Sequence, residues 1–192
     1  MTGPFDRVPA LPVVIPIGLL LFAVLLWRLH TRQLLSVPRA SVAGALAVYA
    51  GGILANTLFP VYLGMPRADE PWTPGLALVP FHDYEFADAL TNVLVFLPLG
   101  ILIPLLLAYP SWWKVLAWVV AVSLTIELSQ LAAQKLVAGG HIADVNDFIF
   151  NTVGGAVGYA IFMILTRVPG LDAFVERFRW TQPTSAPEDG LR

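Results

Sequence analysis

An all-α, polytopic membrane helix bundle with about five transmembrane helices is the fold this sequence predicts, and two observations carry that reading. Hydrophobic residues make up 57% of the 192 positions and charged residues only 12%, far from the balance of a soluble domain. Apolar runs of about 20 residues, the length a helix needs to cross the hydrocarbon core, recur along the chain. Helices are the natural form because backbone polar groups in lipid must be satisfied within the segment. Cysteine is absent, which excludes disulfides, thiolate metal sites and cysteine nucleophiles together. The net charge of −2 gives no reason to expect a nucleic-acid partner. Chemistry therefore falls to carboxylates, amides, hydroxyls and the three histidines, His30, His82 and His141.

The first span is expected over residues 11–27. Arg7 alone makes a thin positive region before it, and no small-residue cleavage site follows before Trp27-Arg28, so it reads as an uncleaved helix rather than a signal peptide. The second span is expected over 40–58. The third, over 89–108, contains Pro98 and Pro104, which should kink it and free carbonyls for neighbours or water, framing a cavity. The fourth is expected over 113–131 and the fifth over 148–166, where Gly154, Gly155 and Gly158 read as packing positions for close helix approach. The loop 64–85, rich in proline and acid (Asp69, Glu70, Asp83, Glu85), is expected to cap the outer face. After position 168, Leu171, Phe174, Val175 and Phe178 recur at helical spacing beside Arg177 and Arg179, which predicts a short amphipathic helix on the inner membrane surface. The stretch 182–192 has the composition of a disordered end. The chain thus divides into 1–39 (first helix and basic loop), 40–168 (main membrane domain) and 169–192 (tail).

Counting Lys and Arg in the connecting segments orients the bundle. One side collects Arg28, Arg32, Arg39, Lys114, Arg167, Arg177, Arg179 and Arg192, while the other keeps Arg7, Arg67 and Lys135. The positive-inside rule predicts an outside N-terminus and a cytoplasmic C-terminus in a multi-pass protein of the cell membrane. Trp27, Trp112 and Trp113 fall at the cytoplasmic boundary and Trp72 in the long outer loop, as interfacial indoles do.

With that topology the polar residues converge. Asp88 and Asn92 lie one turn apart at the outer end of the third helix. Ser123, Glu127, Gln130 and Gln134 follow at spacings of four, three and four on the fourth, and Asp144, Asp147 and Asn151 at three and four on the fifth. Such spacings place each set on one helix face. Simpler roles exist for several of them. Asn92, Gln130 and Asn151 fit interhelical hydrogen bonding, and Asp144 and Asp147 fit acids complementing a helix N-terminus. Glu127, about one and a half turns inside its span, is harder to dismiss, since a carboxylate there must be protonated, paired or facing water.

Three blocks resemble one family. Asp144-x-x-Asp147-x-x-x-Asn151 followed by Thr152-Val153-Gly154-Gly155, Asn92-x-x-x-Phe96-x-Pro98-x-Gly100, and Ser123-x-x-x-Glu127-x-x-Gln130 are similar in kind and order to the signature of the VanZ-like membrane proteins; Pro80-Phe81 matches a short element before them. The resemblance covers about residues 58–165. It departs at His141, where the family usually carries an arginine. A histidine is charged only conditionally, which puts in doubt any role needing a fixed positive charge, and a plain loop role for His141 fits as well.

The resemblance implies an envelope function: reduced susceptibility to lipoglycopeptides such as teicoplanin. The expected partners are membrane lipid and either a lipid-linked cell-wall precursor or the lipoglycopeptide itself, with a homo-oligomer left open. The candidate site is Asp88, Asn92, Glu127, Gln130, His141, Asp144, Asp147 and Asn151, read first as a polar cavity on the outer leaflet that binds a headgroup. No cofactor and no resident metal are expected. An intramembrane enzyme is the alternative, with Glu127 as general base, Asp144 or Asp147 as acid or metal ligand, and His82 or His141 completing a hard-metal site. No motif of HExxH type or nucleophile elbow supports it. Proton-coupled transport fits less well, since five helices show no internal repeat.

Overall fold

The computed structural model describes residues 6–59, 61–63, 76–82, 84–137 and 143–181. His141, Arg67 and Trp72 lie outside the described residues, as do most of the acidic loop and the stretch 182–192.

Among the described residues, five helices are long and apolar enough to cross a membrane: α1 (Leu11–Thr31), α2 (Val37–Leu58), α3 (Phe86–Leu106), α4 (Trp112–Val137) and α5 (Val145–Leu165). A sixth, α6 (Leu171–Glu176), is short. Four short strands join them: β1 (Asp6–Val8) runs antiparallel to β2 (Val61–Leu63), and β3 (Leu76–Ala77) runs parallel to β4 (Ala143–Asp144). The chain is mostly helical, as the sequence predicts, and these short pairings are confined to the connecting segments. The two pairings tie the loops together at the end of the bundle where α3 and α5 begin.

Several helices begin or end beyond the apolar runs that predict them. Helix α1 continues to Thr31, α2 begins at Val37, α3 at Phe86 and α5 at Val145. Hydropathy traces the lipid-crossing part of a helix, whereas hydrogen bonding continues through polar turns. Helix α2 shows the reason at its start, where Pro38 lies in the first turn, a position at which its missing N–H costs nothing.

The centre of the molecule is the α3–α4–α5 group. Helices α3 and α5 run parallel, and their backbones nearly touch. A Cβ added at Gly154 would collide with the Val93 carbonyl, one at Gly158 with the Leu97 carbonyl, and one at Gly100 with the backbone of Gly155 and Tyr159. Lipid tails are as apolar as leucine, so helix association in a bilayer depends on such close packing rather than on escape from water. The expected packing role of Gly154, Gly155 and Gly158 is what the structure shows. Helix α4 packs antiparallel against this pair, with Val119 over Gly155, and Phe96, Leu99, Ile103, Val115 and Val119 form the buried core between them. Helix α3 passes through Pro98 and Pro104 as one helix.

At the opposite end the tail folds back. Trp180 donates its backbone N–H to the Leu105 carbonyl at 2.9 Å, satisfying one of the last carbonyls of α3. Arg39 donates to the carbonyls of Arg179 (2.6 Å), Leu34 (3.1 Å) and Thr181 (3.4 Å). Val175, Phe178 and Trp180 pack against buried Val42, Leu105 and Phe162. The tail is clasped onto the end of the bundle, whereas the sequence predicted a helix lying on the membrane surface; Leu171 and Phe174 remain exposed.

Candidate functional site

Like any helix, α5 starts with backbone N–H groups that have no acceptor in their own helix. Asp144 occupies the N-cap position in an extended conformation, and its carboxylate Oδ1 accepts the Asn146 N–H at 2.7 Å, as a capping aspartate should. The N–H of Asp144 donates in turn to Oε2 of Glu127, 3.0 Å away on α4. In a capping box the second acceptor comes from the third residue of the same helix. That residue here is Asp147, and Glu127 supplies the acceptor from the neighbouring helix instead. Asp147 turns toward α3, where its Oδ1 accepts from Asn92 Nδ2 at 2.6 Å. The start of α5 is thereby bonded to both flanking helices through side chains that the sequence had placed on three separate stripes.

One turn deeper, Asn151 donates its Nδ2 to Ser123 Oγ on α4 at 3.1 Å. Ser123, Glu127 and Gln130 are all buried, at 0%, 7% and 7% exposure, and Asn151 at 4%. The polar stripe of α4 therefore faces protein, as its spacing predicts. Among the described residues, no donor reaches Gln130 Oε1 or Asn151 Oδ1, and buried acceptors left in that state are uncommon. Glu127 lies within the part of α4 that is long and apolar enough to cross a membrane.

Beside Glu127 and Asp144 a cavity of about 190 Å³ opens between α4 and α5, lined otherwise by Leu78, Leu124, Leu128, Leu131, Ala143, Val145 and Phe148. The surface it exposes is apolar.

The structure does not assemble every expected member. Asp88 is exposed in the first turn of α3 and makes none of these hydrogen bonds. His141 lies outside the described residues, and of Gln134 only the helical backbone is described. His82 is exposed; its carbonyl accepts from Asn146 Nδ2 at 3.4 Å. Among the described residues, no three of His, Asp and Glu gather as a metal site would require.

Asn146 is the residue that sequence reasoning missed. It is 2% exposed, and its Oδ1 accepts the Phe81 N–H at 2.6 Å. That bond holds Phe81 at φ +61°, a left-handed conformation rare for a bulky side chain and costing about 1–3 kcal/mol. The rings of Phe81, Tyr84 and Phe150 close over this corner at centroid distances of 5.6–6.4 Å. Asn146 falls off the three-and-four stripe of α5, so periodicity hid it. The available signal was an amide placed between two acids in the first turn of a helix.

Comparison with protein-family models matches VanZ/LLP1 over residues 46–166. The matched region holds α3, α4 and α5 whole, with most of α2, and leaves out α1 and the tail. Protein VanZ of Enterococcus faecium is 29% identical over 120 residues, covering 62% of this chain and 71% of that protein. No solved structure matches the chain.

Proposed function

The chain belongs to the VanZ/LLP1 family, and from that premise we propose that it lowers susceptibility to lipoglycopeptides such as teicoplanin by binding a lipid-linked or lipid-anchored ligand at the acidic end of the bundle. The observation that carries this reading is Glu127: a carboxylate 7% exposed within a lipid-crossing helix, bonded to a helix N-terminus and bordering an open cavity. An ionisable residue at membrane depth is costly and marks function more often than scaffold. The end that holds it is the one with few basic residues. Arg28, Arg32, Arg39, Lys114, Arg167, Arg177 and Arg179 all belong to the opposite end, so the positive-inside rule favours an outer-leaflet position for the acidic end. That is the leaflet where a lipid-anchored drug and an exported cell-wall precursor are met.

The test is a susceptibility profile of a deletion strain against lipoglycopeptides and non-lipidated glycopeptides. The proposal expects increased sensitivity to the lipidated drugs, restored by the full chain, with little change for the non-lipidated ones. Equal shifts for both classes would indicate a general envelope defect and contradict recognition of a lipid-bearing ligand.

A further inference from the structure

We infer that the basic end of the bundle seats one anionic phospholipid on α4, its phosphate at the Lys114 ammonium and an acyl chain between Trp113 and Trp118. The seat lies at the opposite end from Glu127 and stands independently of the binding role proposed above.

The sequence of α4 builds the seat. At 3.6 residues per turn, Trp113 and Trp118 stand about 140° apart around the helix, with Ala117, Ala121 and Lys114 between them. Two large indoles thus wall a strip floored by two small alanines, and together with Leu107, just past α3, these residues line a cavity of about 300 Å³. Trp113 and Trp118 are each 56% exposed, and indoles favour the level of lipid headgroups. Ala121 lies about 10 Å from Lys114 along α4, toward the middle of the helix. Charge at one end of the strip and apolar surface beyond it follow the order in which a phospholipid presents its phosphate and its chain.

The charge at this seat is uncompensated. Of its three ammonium donors, Lys114 sends one to the Tyr109 carbonyl at 3.0 Å, and its Nζ lies 5.5 Å from the centre of the Trp113 ring. Among the described residues no carboxylate pairs with it; Glu176, at the same end, pairs with Arg179. Arg28, Arg32, Arg167 and Arg177 are exposed at this end, against two exposed acids, Asp172 and Glu176. That excess favours a headgroup with net negative charge over a zwitterionic one, and basic pockets beside membrane helices hold such headgroups. A soluble anion would meet the ammonium and leave the indole-walled strip bare, so the strip selects the lipid. The larger cavities beside α2, about 450 and 500 Å³, have no charged residue in their walls and offer a headgroup no partner.

The experiment uses the full chain in non-ionic detergent, carrying Trp27→Phe and Trp112→Phe to remove the other exposed indoles of this end. Quenching of tryptophan fluorescence is followed with dibrominated phosphatidylglycerol and dibrominated phosphatidylcholine. The anionic lipid is expected to quench at about fivefold lower mole fraction, the ratio expected of one lysine near an anionic surface. Lys114→Gln should abolish that preference. Ala117→Leu, which fills the strip and leaves the charge, should weaken quenching by the anionic lipid and covers the case in which the Lys114 variant folds poorly. Arg167→Gln, exposed at the same end but outside the cavity, should leave the preference in place. Equal quenching by both lipids, a preference that survives Lys114→Gln, or quenching untouched by Ala117→Leu would overturn the inference. A preference reduced as much by Arg167→Gln as by Lys114→Gln would overturn it too, by showing a diffuse charge effect. So would displacement of the anionic lipid by inorganic phosphate but not by chloride of equal ionic strength, since the ligand would then be the free anion.

Discussion

Arg39 at one end of the bundle and Glu127 at the other are both charged side chains brought close to the helices, yet their surroundings differ in kind. Arg39 sends its guanidinium N–H groups to the carbonyls of Leu34, Arg179 and Thr181, binding a loop and a tail some 140 residues apart in sequence. Glu127 receives one backbone N–H and borders a cavity, with two further acceptors near it unfilled by described donors. A charge whose bonding capacity is consumed by the fold is a fastener; a charge with capacity left over beside open space is placed for something else to arrive. Under the binding role proposed above, the difference separates a fastener from a binding group within one bundle.

The change with the largest expected effect breaks both ends together. Gly158→Leu would drive a side chain into the Leu97 backbone, and overpacking typically costs about 1–3 kcal/mol, occasionally more. We expect loss of folded protein from the membrane, measured by fluorescence-detected size exclusion; a normally folded, abundant variant would show that the close α3–α5 approach is dispensable.

Arg39→Ala sharpens the contrast. It removes three hydrogen bonds from a charged donor, each of a kind worth about 1.5–3 kcal/mol when partly buried. A lower unfolding temperature is expected, with lipoglycopeptide susceptibility unaltered once protein amounts are matched. A specific loss of resistance at normal abundance would make the basic end functional too.

Asn92→Ala should cost less, about 0.6 kcal/mol and up to about 1.7, the range for interhelical hydrogen bonds in bilayers. Its effect on unfolding should shrink when Asp147 is replaced as well, because the two share one bond at 2.6 Å; additive losses in the double variant would deny that coupling. The smallest effect is expected at Asp88, exposed and outside the hydrogen-bonded group. Asp88→Asn should shift stability by no more than about 0.5 kcal/mol, with susceptibility unchanged.

The five spans and the buried face of α4 were legible in the sequence, because a lipid-crossing helix must be apolar over a fixed length and its exceptions fall at helical spacing. Ser123, Glu127, Gln130 and Asn151 are all buried as that spacing implies. Less legible was whatever depends on chain returning from a distance. The clasp of Arg39 on the tail, the strand pairings and the Asn146–Phe81 bond each join segments that share no local pattern. Asp88 misled for the complementary reason. Its spacing from Asn92 is right, but it precedes Asn92 by a turn and stands at the rim, where α5 offers it no bond among the described residues. Asp144 was read as a candidate ligand or acid and proves to be a helix cap as well, a role that local sequence could suggest but only the geometry of Asn146 establishes.

The measurement that most directly tests Glu127 as a functional group is the teicoplanin susceptibility of a deletion strain carrying Glu127→Gln, at membrane abundance and unfolding behaviour matched to the wild-type chain. Glutamine can still accept the Asp144 N–H through its amide oxygen, so the helix junction survives while the carboxylate is removed. Susceptibility equal to that of the deletion strain is the predicted result. Full resistance from a folded, abundant Glu127→Gln protein would contradict the account and return the acidic end to the status of a helix fastener.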